Sequence, residues 1–166
     1  METLLLDLEK ILFEEISQHE RLISLMEKER RYMIKGDIEL LSESNKQKET
    51  IILEIKMLEE GRIKIIEKLA EYIHLSPSDL TFNKLILQMP SPFKEKFKGY
   101  YYRFQNLVKE LGSLNKSNLI IIERSLDFIN KSLNIFTKGS FLPSYSQSGK
   151  LYQKDNSQSK IICQSI

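Results

Sequence analysis

The first proline of this chain stands at position 77, and only Gly36 and Gly61 interrupt the stretch before it. A sandwich or barrel needs a turn roughly every 8–12 residues, so a stretch this poor in breakers does not fold that way. Apolar residues recur instead at alternating steps of four and three, which places them along one face of a helix. With 29% charged and 41% apolar residues and no Trp, the composition is that of a helical bundle or coiled coil. The length of 166 residues fits one core. The expected fold is all-α: an elongated, coiled-coil-like antiparallel bundle of three long helices and one short connecting helix, with a disordered C-terminal tail.

The first helix is predicted over Glu2 to Ile34, with Leu5, Leu8, Leu12, His19, Leu22, Met26 and Met33 on its stripe. Acidic residues early (Glu2, Asp7, Glu9) and basic ones late (Lys28, Arg30, Arg31, Lys35) complement the helix dipole. Gly36 then ends the helix and Asp37 caps the next. That second helix runs to about His74, and a Gly-Asp corner sets the two antiparallel. Its stripe from Ile38 to Ile73 is interrupted by Asn45, Lys48, Glu59 and Arg62. Polar groups at such seam positions fix register at a cost in stability. After a Ser/Pro loop, Thr81 caps a short helix from Phe82 to about Met89. Ser91 is the expected cap, and Pro92 the expected first residue, of a long last helix ending near Lys138.

That last helix carries one stripe along its whole length: Phe93, Phe97, Tyr100, Phe104, Leu107, Leu111, Leu114, Asn118, Ile121, Ser125, Phe128, Ser132 and Ile135. Leu119, Ile122, Leu126, Ile129, Leu133 and Phe136 form a second stripe, one residue out of phase, in its C-terminal half. Drift of about 20° per heptad explains part of this offset. Together the two stripes are wider than one antiparallel hairpin readily covers. From Gly139 the period is lost: residues 139–166 hold seven Ser and four Gln, the composition of a disordered segment. Spaced apolar points, Phe141 and Tyr145 among them, suit a segment that orders on contact; the alternative is that the tail folds back over the second stripe. Domain boundaries are accordingly expected at 1–138 for the bundle and 139–166 for a flexible tail.

The chemistry on offer is sparse. The two histidines, His19 and His74, share no metal-ligand spacing and read as a seam residue and a helix-end residue. Paired acids such as Glu14-Glu15 and Glu59-Glu60 read as solvated helix faces. No glycine lies in a phosphate-binding loop, and the single Cys163 lacks a general base nearby. No enzyme activity, cofactor or metal is expected. A net charge of +2 gives no global basic bias for nucleic acid. Among Tyr100, Tyr101 and Tyr102, the last two are the exposed candidates for base stacking, a weaker reading than packing. A lone cysteine fits a reducing cytosol, and nothing resembles a signal peptide or membrane span. The chain is expected to be cytoplasmic, without membrane insertion, and to bind other proteins through surplus apolar width.

In order along the chain stand the Gly36-Asp37 corner, Leu41, Lys48, Leu58-Glu59 with Arg62, and Leu80-Thr81 opening a short helix. Asn115-x-x-Asn118-Leu119-Ile120 follows on the last helix, then Tyr145 shortly before Gly149. This order resembles the FlgN family, cytosolic export chaperones of flagellar hook-associated proteins; Ser148 departs from the acidic or Asn residue often found before that glycine. The resemblance implies partners in the hook–filament junction proteins, bound through their terminal helices, and in the cytosolic domain of the flagellar export gate. It implies docking through the last helix and tail: Asn115, Asn118, Leu119, Ile122, Leu126, Ile129, Leu133, Phe136, Phe141 and Tyr145. Asn115 and Asn118 serve either a partner or a buried polar layer that fixes register. A structural coiled coil that self-associates, or another small helical flagellar chaperone, is the competing reading; a monomer or weak homodimer is expected.

Overall fold

A computed structural model describes residues 1–74, 81–138, 144–145 and 151–152. Its elements are α1 (Glu2–Lys35), α2 (Ile38–Tyr72), α3 (Phe82–Gln88), α4 (Phe93–Lys138), β1 (Ser144–Tyr145) and β2 (Leu151–Tyr152). Three long helices and one short one therefore form where the spacing places them. The chain divides into two compact units, Met1–Arg124 and Ser125–Ile166, with the division inside α4.

The corner between α1 and α2 is built by two adjacent residues. Gly36 takes a left-handed φ of 71°, which an L side chain resists. Its N–H donates to Met33 O at 3.3 Å, and the Asp37 N–H donates to Tyr32 O at 3.0 Å. These two bonds close α1 in a Schellman turn. The Asp37 carboxylate accepts from the Leu40 N–H at 3.1 Å and so caps α2. At the other end of α2 a second left-handed residue, His74 with φ 56°, does without glycine. Thr81 caps α3, its hydroxyl accepting from the Lys84 N–H. One expectation at a helix start fails: α4 begins at Phe93, so Pro92 precedes the helix across a cis Ser91–Pro92 peptide. The first backbone bond there runs from Lys94 N–H to Pro90 O, so the turn before the helix belongs to Pro90 rather than to a Ser91 cap.

Ion pairs give the helix directions within the first unit. Glu15 pairs with Arg62, Arg21 with Glu54, and Glu29 with Lys48, so α2 runs against α1. Glu9 pairs with Lys96 and Glu20 with Arg103, and Asn118 reaches Met26 O, so α4 runs along α1 in the same direction. Gly61 lets the first two helices come close: a Cβ there would lie 3.1 Å from Ile11 Cδ1.

The core is segmented. Leu5, Leu8 and Leu12 of α1 pack with Leu69 and Ala70 of α2, Leu85 and Ile86 of α3, and Phe97 of α4. Further along α1, Ile16 and Ile23 meet Leu107, and Leu22, Leu25 and Met26 meet Ile51. Each fully buried aliphatic or aromatic side chain contributes about 1.5–3 kcal/mol. Two charged layers punctuate this core. Glu15, 1% exposed, accepts from Arg62 Nε at 3.0 Å, and Glu29, 3% exposed, accepts from Lys48 Nζ at 2.7 Å. Glu15 is thus not the solvated face that its pairing with Glu14 suggested. Positions 15 and 29 fall in the steps of the four-three spacing left open between Leu12, His19, Met26 and Met33. Lys48 and Arg62 are separated by the same two heptads, so both pairs form in one register and neither survives a slip of one heptad. Asn45 and Glu59, the other two polar positions of the α2 stripe, are exposed.

In the C-terminal region β1 and β2 pair antiparallel, Ser144 opposite Tyr152 and Tyr145 opposite Leu151. The signal was present: two short Tyr-containing runs flank a five-residue connection that includes Gly149, a hairpin spacing. The rest of 139–166, with Phe141 and Cys163, lies outside the described residues.

Candidate partner-binding surface

The surface is built on α4, and its character changes along the helix. Up to Ile121 the long stripe is covered. Phe97, Leu107 and Asn118 are buried, and Phe93, Tyr100, Phe104, Leu111, Leu114 and Ile121 are half-buried. Leu119 and Ile122, still in the first unit, are exposed. In the second unit Leu126, Ile129, Leu133 and Phe136 are exposed as well, from 50% at Ile129 to 79% at Phe136. Phe128 and Ile135, from the continuing long stripe, are exposed too.

At about 100° per residue, the positions of the two stripes past Ile121 span about 180° of the helix circumference. The remaining sector is polar, with an Asp127–Lys131 ion pair at 2.7 Å; on the long stripe itself the Ser132 hydroxyl donates to Phe128 O at 2.9 Å. Such an amphipathic segment offers a partner helix a ladder of aliphatic and aromatic anchors at i, i+3, i+7 and i+10. Other large apolar residues, such as Phe13 and Met57 on the groove between α1 and α2, are exposed as well, but without this continuous ladder.

The two asparagines of the α4 motif part company. Asn118 is buried, its carboxamide donating to Met26 O at 3.2 Å while its Oδ1 has no hydrogen bond. It forms a polar layer between α1 and α4. Asn115, three residues earlier, is exposed. Tyr145 lies in β1.

The other residues singled out in the sequence take packing roles. His19 holds Glu15 O through Nδ1 at 2.7 Å and meets the Phe104 ring edge-on at 5.0 Å between centroids. Tyr100 is half-buried, and its hydroxyl donates to Glu9 at 3.3 Å. Burial, then the Glu9 charge, pushes that phenol above its ordinary range. Tyr101, expected to be exposed, stacks on Phe82 at 5.8 Å and is half-buried; Tyr102 is the exposed member of the trio. The reason is α3, which carries Phe82 onto α4 and turns Tyr101 into a packing platform.

Among the described residues no cluster of three His, Cys, Asp or Glu is placed to hold a metal ion. Among the same residues no helix is long and apolar enough to cross a membrane. The residues that sequence reasoning missed are Glu15 and Glu29. Burial holds the Glu15 carboxyl above the usual carboxylate range, against the opposing pull of Arg62.

The family model of the FlgN protein matches residues 1–158. Neither a curated protein nor a solved structure matches the chain significantly.

Proposed function

Because the chain belongs to the FlgN family of flagellar export chaperones, we propose that it binds hook-associated proteins in the cytosol, through their terminal helices, on the exposed face of α4. By covering those helices it prevents premature assembly, and it delivers its client to the cytosolic domain of the flagellar export gate. The reading rests on one observation: Leu119, Ile122, Leu126, Ile129 and Phe136 are solvent-exposed at helical spacing. Asn115 lies on the approach to this face, and the segment 139–166, with Phe141 and Tyr145, supplies a second docking element toward the gate. Asn118 serves the register of the bundle.

The energetics suit a carrier. Covering five or six such side chains gains on the order of 1.5–3 kcal/mol each. Immobilising the partner and ordering flexible chain consume much of that gain, which leaves an affinity suited to capture and release.

The test is a double variant, Ile122→Asp with Ile129→Asp. Both residues are exposed, so the variant melts like the parent, while co-purification with a hook-associated client is lost. Retained binding contradicts the proposal. Light scattering over a concentration series addresses self-association through the same face: a stable homodimer that persists in the presence of client favours the structural coiled coil instead.

A further inference from the structure

Residues two apart on a helix point about 160° away from each other. Along the covered part of α4, the places two removed from the stripe are filled mainly by polar residues or glycine. Gln105 and Lys109 flank Leu107, and Gly112 and Lys116 flank Leu114. The apolar arc is narrow there, yet it already lies against two helices. Leu111 and Leu114 pack on a cluster drawn from α1 (Leu22, Leu25 and Met26) and from α2 (Ile51). In the second unit the pattern widens. Leu126 and Phe128 are two apart and both apolar, and so are Leu133 and Ile135. All four are more than half exposed. The apolar face therefore has two edges on nearly opposite sides of the helix.

One partner helix cannot cover both edges: laid against Leu126 and Leu133, it leaves Phe128 and Ile135 on the far side of α4. Between the edges runs a line of Ser125, Ile129, Ser132 and Phe136, at steps of four, three and four. Ser132 gives its hydroxyl to Phe128 O, so apolar groups lie over it without stranding a donor. Charge separates the edges as well. Arg124 and Lys131, both exposed, stand one turn before Phe128 and Ile135. Asp127 engages Lys131, so Arg124 is the cation offered at that edge. The other edge has Glu123 and Asn130 beside Leu126. We infer, on the client-binding reading of α4 given above, that this face receives two helices of a single client chain. One helix lies on each edge and the two meet over the line through Ile129 and Phe136; the helix on Phe128 and Ile135 carries acidic residues beside its apolar stripe. A single chain is favoured because two joined helices lose rigid-body freedom only once, the second docking at a high effective concentration.

The experiment measures binding of the full chain to a whole hook-associated client by calorimetry, with two matched variants: Leu126→Asp with Leu133→Asp, and Phe128→Asp with Ile135→Asp. All four residues are exposed, so both variants melt like the parent. Each variant weakens binding by at least about tenfold. Light scattering gives a complex with one copy of each chain, and hydrogen exchange in the client shows two separate protected segments. Arg124→Glu weakens binding more at low salt than at high salt; an unchanged affinity removes the acidic character assigned to that helix. Loss confined to one of the two double variants, or a single protected client segment, overturns the inference while leaving α4 as the client site. Two client chains per complex overturn the single-chain arrangement. A homodimer that both variants disrupt and client does not displace overturns it in favour of a second copy of this chain. Undiminished binding by both variants and by Ile122→Asp with Ile129→Asp contradicts the client-binding reading itself.

Discussion

The two parts of α4 obey one sequence rule and meet opposite fates. Phe97, Tyr100, Phe104 and Leu107 sit at four-three spacing and are drawn into contact with α1 and α3. Ile122, Leu126, Ile129 and Phe136 sit at the same kind of spacing and stay in solvent. Periodicity therefore specifies which residues share a face, and the neighbours decide whether that face becomes core. A fold that had only to be stable would end the apolar pattern where its cover ends. Here the pattern widens at that point, which is what a surface for a partner requires.

The contrast is sharpest in single substitutions. Phe97→Ala removes a ring that is fully buried and costs about 3–5 kcal/mol in chemical denaturation. Phe136→Ala removes a ring of the same size in solvent and changes stability by less than about 0.5 kcal/mol. Similar losses at both sites would mean that the two parts of α4 do not differ as described.

The charged layers supply the next test. Arg62→Met leaves Glu15 buried without its cation and destabilises by about 3 kcal/mol. Adding Glu15→Met to that variant removes the stranded charge and recovers most of the loss. A double variant no more stable than Arg62→Met alone would show that the pair contributes more than register.

Much of this architecture was legible in advance. Gly36, Asp37 and Thr81 mark helix ends because each answers a local need: a left-handed turn, or an orphan N–H. The second stripe was legible for the same reason, since spacing along one helix is a local property. Glu15 and Glu29 were not, because a carboxylate at a seam position looks solvated until its partner is placed on the other helix. Only the shared two-heptad separation of Lys48 and Arg62 links them across the corner. Tyr101 was misjudged because its cover, Phe82, arrives from a different helix.

Smaller effects refine the comparison at its edges. Gly36→Ala costs about 1 kcal/mol, measured by thermal melting: no atom lies within 4 Å of the added Cβ, so the loss is purely one of backbone conformation. Glu15 governs a shallow pH dependence. Its carboxyl is raised in the folded state, so the folded chain holds the proton more tightly than the unfolded one. Its cost is present in full at neutral pH. That cost is relieved as pH falls through the raised value and disappears below the ordinary value of 4.5. The stability difference between the parent and Glu15→Gln therefore moves in the parent's favour on acidification over that window. A difference that is flat with pH would show that Arg62 fully offsets the burial.

The central claim is that the exposed face of α4 past Ile121 is where a client docks, and hydrogen exchange on the full chain with and without a hook-associated client tests it most directly. Protection should rise over Ile122 to Phe136 and change little between Phe97 and Leu107, where the helix is already covered. Protection gained elsewhere while Ile122 to Phe136 exchanges as in the free protein would contradict the account.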